Sequence, residues 1–197
     1  MAGPLHGSVG GAVLAGGSSR RMGRDKAFLK VDGTPLVSSV AGVLDAVVDA
    51  GVVVVGGDVD GIRNLGLRSV PDLHPGPGPL GGILTALRHF GGHCDHVVVL
   101  SCDLPKASEA SVGALLDVVD EVPAVIVAVL EGRRQWMHAC WPVSALGLLE
   151  GAFAAGERAP RRALGDLPVV EVVGLDPLSL RDVDSPEDLD ESGRAGL

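Results

Sequence analysis

The sequence predicts an α/β protein, a single domain built on a mostly parallel central sheet with helices on its faces. Three observations predict it. Apolar runs at 9–14, 52–55, 97–100 and 124–130 show no polar alternation, so both faces of each strand are expected to be covered. Stretches with helical spacing separate the first three runs, which gives the strand, helix, strand order of a parallel sheet. Glycine-rich or acidic loops follow the strands and fall on one edge of such a sheet, where open α/β folds bind ligands. The 197 residues, 46% of them hydrophobic, suffice for one well-filled core.

The run 9–14 stops at Gly16-Gly17, so a buried strand is expected to end in a turn whose amides face an anion. Arg20, Arg21, Arg24 and Lys26 follow within a few residues, in a chain of net charge -9, and gather cationic donors where a triphosphate would lie. Two other phosphate loops are excluded by spacing. A Walker A loop needs Gly-Lys and then Ser or Thr, whereas Gly23 is followed by Arg24, Asp25, Lys26 and Ala27. A dinucleotide fingerprint needs spaced glycines opening directly into a helix, and here the glycines are adjacent. Residues 27–31 then lead to an Asp32-Gly33 turn, and Thr34 and Pro35 read as the N-cap and first residue of a helix running to Ala50. Leu36, Val40, Val43, Leu44, Val47 and Val48 give it an apolar face, and Gly51 stops it before strand 52–55. Gly56-Gly57 ends that strand on the same edge as the first loop.

A short strand at 67–70 leads into Pro71 to Gly82, where alternating proline and glycine permit neither a helix nor a central strand. A helix at 83–90 follows directly, which sets these glycines at a helix N-terminus, a place that favours anions. His89, His93 and His96 surround Cys94 and Asp95, but Gly91-Gly92 interrupts them, so they read as solvated loop histidines rather than a metal site. Strand 97–100 ends at Ser101-Cys102-Asp103-Leu104-Pro105, and Asp103 is a carboxylate at the C-terminal end of a buried parallel strand. A helix is expected over 108–121 and a strand over 124–130. The turn 131–134 is too short for a crossover, so 135–143 should run antiparallel to that strand. Residues 169–173 read as a strand, and 180–189 as a strand entering a terminal helix with Ser185 and Asp188 as a capping pair and Pro186 at its first position.

Composition removes several function classes. A sequence pI near 5.0 and the absence of Tyr, with few Phe and Trp, exclude a nucleic-acid surface and a base-stacking platform. The longest apolar runs are far too short to span a bilayer, no basic and apolar leader opens the chain, and a cytoplasmic protein without membrane contact is expected. Cys94, Cys102 and Cys140 are odd in number and lack C-x-x-C spacing, so they read as buried reduced thiols.

Leu14-Ala15-Gly16-Gly17, Ser19, Arg21-Met22-Gly23 and Asp25-Lys26 resemble the signature loop of the nucleotidyltransferases that share the molybdenum cofactor guanylyltransferase fold. The Pro-Gly-Pro-Leu-x-Gly portion around Gly78, the Cys102-Asp103-Leu104-Pro105 segment and the stretch from Val183 to Leu189 are similar to that family's other motifs. The terminal motif departs from the family in one respect: Asp182 and Asp184 replace two asparagines, which removes donors and adds charge. The resemblance implies a single Rossmann-like nucleotidyltransferase domain over 1–197, with a nucleotide-binding half at 8–105, an acceptor-side half at 106–197 and a small antiparallel extension on the acceptor side. It implies transfer of GMP from GTP to the terminal phosphate of molybdopterin, or its molybdenum form, with release of pyrophosphate.

By the same resemblance, Arg21 and Lys26 stabilise charge and Asp103 holds Mg2+. Leu14, Ala15, Gly16, Gly17, Lys26, Asp72, Gly78 and Asp103 contact the nucleotide, with the Ala15 to Gly17 amides on its phosphates. The acceptor is expected between Gln135 and Arg162, including Glu157, Arg158, Arg161 and Arg162, with His138 a packing or surface residue nearby. Contacts with proteins that deliver or receive the cofactor are implied as well. A relative using CTP or another phosphorylated acceptor, or a catalytically silent nucleotide-binding module, are the alternatives. Ala15-Gly16-Gly17, where cytidylyl relatives tend to resemble Ala-Ala-Gly, leans toward guanine.

Overall fold

The structure is a computed structural model that describes residues 8–16, 25–76, 78–119 and 123–183. Its centre is a seven-stranded sheet of β1 (Val9–Leu14), β4 (Val52–Val55), β5 (Ser69–Val70), β6 (His96–Ser101), β7 (Val125–Leu130), β8 (Arg133–Pro142) and β9 (Val169–Val172), in the order β5-β4-β1-β6-β8-β7-β9. A separate two-stranded ribbon joins β2 (Lys30–Val31) to β3 (Thr34–Pro35). The mostly parallel α/β architecture expected from the sequence is present, since β1, β4, β5 and β6 are parallel neighbours and β9 is parallel to β7.

The order of the strands sets the position of the site. From β1 the chain moves outward to β4 and β5, then returns to the other side of β1 as β6, with Leu14 in register with Ser101. The strand order therefore reverses at β1, and at the carboxyl ends of strands beside such a reversal open α/β sheets form their ligand crevice. The antiparallel strand expected on the acceptor side is β8, which continues the central sheet by pairing with β6 on one side and β7 on the other. The Glu131-Gly132 turn permits this, because both residues adopt positive φ (51° and 74°) and fold the chain back at once.

Each face of the sheet carries its own apolar layer. Val9, Val13, Val98 and Leu100 face α1 (Leu36–Asp45) and α4 (Glu109–Leu116), while Ala12, Leu14, Val97 and Val99 face α3 (Leu80–Phe90) and α5 (Leu146–Ala154). The strand period of two produces this split from a continuous apolar run. Gly10 lets α3 sit against the strand, since a Cβ there would lie 2.6 Å from the Phe90 ring. Cys94, Cys102 and Cys140 are buried and unpaired. Among the described residues no helix is long and apolar enough to cross a membrane.

Several boundaries differ from the sequence expectation. Thr34 and Pro35 do not open the helix; they form β3 opposite β2 around Asp32-Gly33, and α1 starts at Leu36 and ends at Asp45. The hairpin wins because Asp32 and Gly33 both adopt positive φ (50° and 82°), which turns the chain tightly enough to pair its flanks. α2 (Val59–Asn64) was not legible as a helix; its cap is Asp58, which accepts from the Gly61 N–H at 3.2 Å. α3 begins at Leu80 rather than Ile83, so Gly81 and Gly82 lie in its first turn. α4 is shorter than expected, with Ser108 as its cap. α5, α6 (Pro160–Ala163) and α7 (Pro177–Leu180) went unread.

Among the described residues the strand expected from residue 180 does not form. Among these residues Leu180 ends α7, 181–183 lie in no strand, and the Val183 N–H donates to the Asp103 main-chain oxygen. The terminal helix expected from Ser185 lies outside the described residues, as does Asp184. The three clustered histidines separate: His89 is on α3, His93 is exposed and His96 is buried at the start of β6, not solvated as expected. His96 is drawn in because it heads a strand flanked on both edges, by β1 and by β8.

Candidate active site

Lys26 and Asp103 meet at the crevice. The first-loop backbone re-enters the described structure at Asp25, whose carboxylate accepts from the Ala27 N–H at 3.1 Å and caps a single 3-10 turn over Lys26–Phe28. That turn presents the Lys26 ammonium toward the end of β6, 3.9 Å from Asp103 Oδ2, with the two side chains 13% and 19% exposed. Lys26 Nζ also donates to the Val183 carbonyl at 3.0 Å, and the Val183 N–H donates to the Asp103 main-chain oxygen at 2.9 Å. Three remote stretches are thereby tied together, and the C-terminal segment is the tie. On the other oxygen of Asp103, the Ser101 hydroxyl donates to Oδ1 and fixes the rotamer.

Asp72 lies across the crevice. Its Oδ1 accepts from the His74 N–H and from the Thr85 hydroxyl, both at 2.9 Å, which holds the start of the Pro-Gly loop to α3. Thr85 is 3.0 Å from Gly81 O as well, so one hydroxyl proton is shared between two acceptors while its oxygen accepts from the Leu73 N–H. Oδ2 faces the first loop, 3.8 Å from where a Gly16 Cβ would stand. Gly56 closes the same corner, because its Cβ would come within 3.3 Å of the Gly16 backbone. Gly16, Gly56 and Asp72 thus converge, with Gly56 on the edge of the first loop as its place after β4 suggested.

Of the other expected nucleotide contacts, Leu14 is buried at the end of β1. Ala15 differs from expectation in one respect: its N–H donates to Val55 O at 2.9 Å, extending the sheet ladder one residue past the strand, so that amide is not available to a phosphate. Gly17 and Arg21 lie outside the described residues. Gly78 has φ +95° and packs against the other half of the chain, since a Cβ there would be 2.8 Å from Arg158 O. Beside it a groove of about 290 Å³ is lined by His74, Pro75, Gly76, Gly78, Phe153 and Arg158. Glu157 anchors this turn: its Oε1 accepts from the Arg158 and Ala159 N–H groups at 2.7 and 2.8 Å, which pull its carboxyl below the usual range, and Oε2 pairs with Arg162 Nε at 2.8 Å.

Sequence reading missed Thr85, Phe153 and the Val183 backbone. A hydroxyl on the otherwise apolar inner face of α3 was a usable signal for Thr85, whereas a main-chain carbonyl leaves none for Val183. His138 is a different matter. It is 1% exposed on β8 opposite Leu100, and among the described residues neither ring nitrogen has a hydrogen-bond partner. It lies in a bulge: Gln135 and Ala139 oppose the adjacent residues Ala128 and Val127, so Trp136, Met137 and His138 lack β7 counterparts.

Burial lowers the His138 pKa from 6.5 to about 4, so the native state keeps it neutral. Between these values the unfolded chain takes up a proton that the native state refuses, and stability falls as pH drops, by up to about 3 kcal/mol for this group. Full stability from this group is expected above pH 6.5, and the loss levels off below about pH 4. Melting temperatures of the native chain and of His138→Leu between pH 7 and 4 test this. The variant is expected to lose this part of the acid slope and to be the more stable protein at pH 5, since two unpaired buried nitrogens are removed.

A family description, MobA-like NTP transferase domain, matches residues 11–171. The molybdenum cofactor guanylyltransferase of Rhodobacter capsulatus is 32% identical over 186 residues, 92% of this chain and 93% of that protein. The molybdenum cofactor guanylyltransferase of Rhizobium meliloti is 34% identical over 165 residues, 81% of this chain and 76% of that protein. The crystal structure of molybdopterin-guanine dinucleotide biosynthesis protein A from Archaeoglobus fulgidus superposes with a TM-score of 0.72 at 25% identity, covering 93% of this chain and 96% of that one.

Proposed function

The chain belongs to the MobA-like NTP transferase domain family, and from that premise we propose that it transfers GMP from GTP to the terminal phosphate of molybdopterin, or its molybdenum form, in the making of the guanine dinucleotide cofactor. The observation that carries the reading is the meeting of Lys26 and Asp103, 3.9 Å apart, at the reversal of strand order beside β1. The Rhodobacter and Rhizobium relatives, named as guanylyltransferases of this cofactor, support the choice of donor and acceptor.

In the reaction an oxygen of the acceptor's phosphate forms a bond to the α-phosphorus of GTP. The bond from that phosphorus to the oxygen bridging to the β-phosphate breaks, and pyrophosphate leaves with the electron pair. A phosphate monoester is largely ionised near neutral pH, so no strong base is required, and the protein's task is alignment and charge neutralisation. Lys26, aided by Arg21, neutralises phosphate charge. The Gly16 and Gly17 amides and the loop held by Asp72 position the nucleotide beside Leu14 and Ala15. The groove next to Gly78, with Arg158 on its wall, receives the acceptor.

The donor set at Asp103 fits a hard divalent cation: a single carboxylate with one oxygen oriented by Ser101, and no group of three His, Cys, Asp or Glu among the described residues that could hold a metal without substrate oxygens. Mg2+ bound there together with the phosphates would draw charge off the transferring phosphoryl group. On this reading the enzyme works in the cytoplasm, where a net charge of -9 favours solubility, and exchanges its pterin with partner proteins.

Melting curves with GTP, CTP, ATP and UTP, each with Mg2+, test the reading. At about a hundred times the dissociation constant a ligand stabilises the native state by roughly 2.7 kcal/mol. A shift with GTP alone is the expected result, to be followed by pyrophosphate release on addition of molybdopterin. A shift with CTP would assign a cytidylyl transfer instead, and GTP binding without turnover would leave a binding module.

A further inference from the structure

We propose that Phe153, the next-to-last residue of α5, is a positioning residue for the acceptor: it fixes the Arg158 guanidinium over the groove and ties it to the nucleotide loop through His74. The inference rests on the reading of that groove as the acceptor side. Five observations carry it. Arg158 Cζ stands 3.8 Å over the centroid of the Phe153 ring. Arg158 Nη1 donates to Phe153 O at 2.8 Å and to Glu157 O at 2.7 Å. The His74 ring lies 4.7 Å from the Phe153 ring, tilted by 48°. Gly78 seats the Arg158 carbonyl where any side chain would clash, at 2.8 Å from a Cβ.

The physical consequence is a pre-organised cation. A free arginine samples many rotamers, and an anion that binds it must first freeze them. Here the carbonyls of residues 153 and 157 fix the in-plane direction of the guanidinium, and the negative face of the aromatic ring fixes its height. One edge of the fork is thereby held by main chain, and the group lines the groove in which a phosphorylated, planar acceptor would lie. Because His74 belongs to the loop that Asp72 organises, and Phe153 and Arg158 to the acceptor half, the ring also joins the two halves by an aromatic contact.

Steady-state kinetics separate this role from a merely structural one. Phe153→Leu and Phe153→Met keep the main-chain carbonyl and most of the volume but remove the aromatic face. Both are expected to raise the KM for molybdopterin roughly threefold to tenfold, the range of a partly buried cation–π contact, with the KM for GTP and kcat within about twofold of the native values. Phe153→Tyr, which restores the face, is expected to restore the low acceptor KM. Equal KM values for molybdopterin in the native, Leu and Met proteins would overturn the proposal, as would a Tyr variant no better than the Leu variant or a GTP KM that rises as much as the acceptor's. Arg158→Ala separates the two layers: if it leaves the acceptor KM unchanged, the reading of the groove has failed and the proposal falls with it. If Arg158→Ala raises that KM while the Leu and Met variants do not, the groove stands and the role of Phe153 alone is refuted.

Discussion

Lys26→Ala is expected to lower kcat for pyrophosphate release by about a hundredfold or more while leaving a folded protein. Removing one pre-organised charge contact from a transition state that spreads charge over phosphate oxygens typically has an effect of that size. The pre-organisation is visible: the ammonium is held at 3.0 Å by the Val183 carbonyl and lies 3.9 Å from Asp103 Oδ2, so its position is set before any substrate arrives. Loss of the hydrogen bond to Val183 should reduce stability by only about 1 kcal/mol, because the carbonyl is main chain and other contacts hold the segment. The KM for GTP and the melting temperature are therefore to be measured beside kcat. A drop of only twofold in kcat would make Lys26 peripheral, and the cationic work would then fall to the arginines of the first loop.

The second large effect concerns the carboxylate. Asp103→Ala is expected to lose Mg2+-dependent turnover, by about a hundredfold or more at saturating GTP. The fold should survive this change for a specific reason: the Val183 N–H donates to the main-chain oxygen of residue 103, which alanine retains, so the C-terminal tie stays in place. Circular dichroism and a melting curve would establish this, and turnover titrated with Mg2+ would read the loss. Asp103→Asn is a sharper form of the test, since it keeps the size of the group and can still accept from Ser101 while removing the charge. Unchanged activity in either variant would sink the metal assignment and move attention to the acidic positions of the terminal segment, Asp182 and Asp184.

The two effects should not add. Lys26 and Asp103 lie within one charge cluster and share the Val183 segment, and removing either alters the field at the other. The double variant is expected to be barely slower than the worse single one, which a double-mutant cycle would show.

Much of this was determined by the sequence alone. Uninterrupted apolar runs can be stable only between two covered faces, so the parallel sheet was legible, and residues 9–14 and 52–55 matched their strands. The Glu131-Gly132 turn gave the antiparallel direction of β8, since so short a connection allows nothing else. Asp103 was placed at the end of its strand by the same reasoning. Tertiary structure decided the rest wherever an outcome depended on partners distant in the chain. Whether β8 lies beside β7 only or slips between β6 and β7 depends on which strand edges remain open once β1 and β6 have paired. Thr34 and Pro35 had good local reasons to start a helix, and a two-residue hairpin overrode them. The clasp of Lys26 and Asp103 by Val183 uses backbone atoms, which look alike at every position of a sequence and acquire a role only when the folded chain brings residues 26, 103 and 183 together.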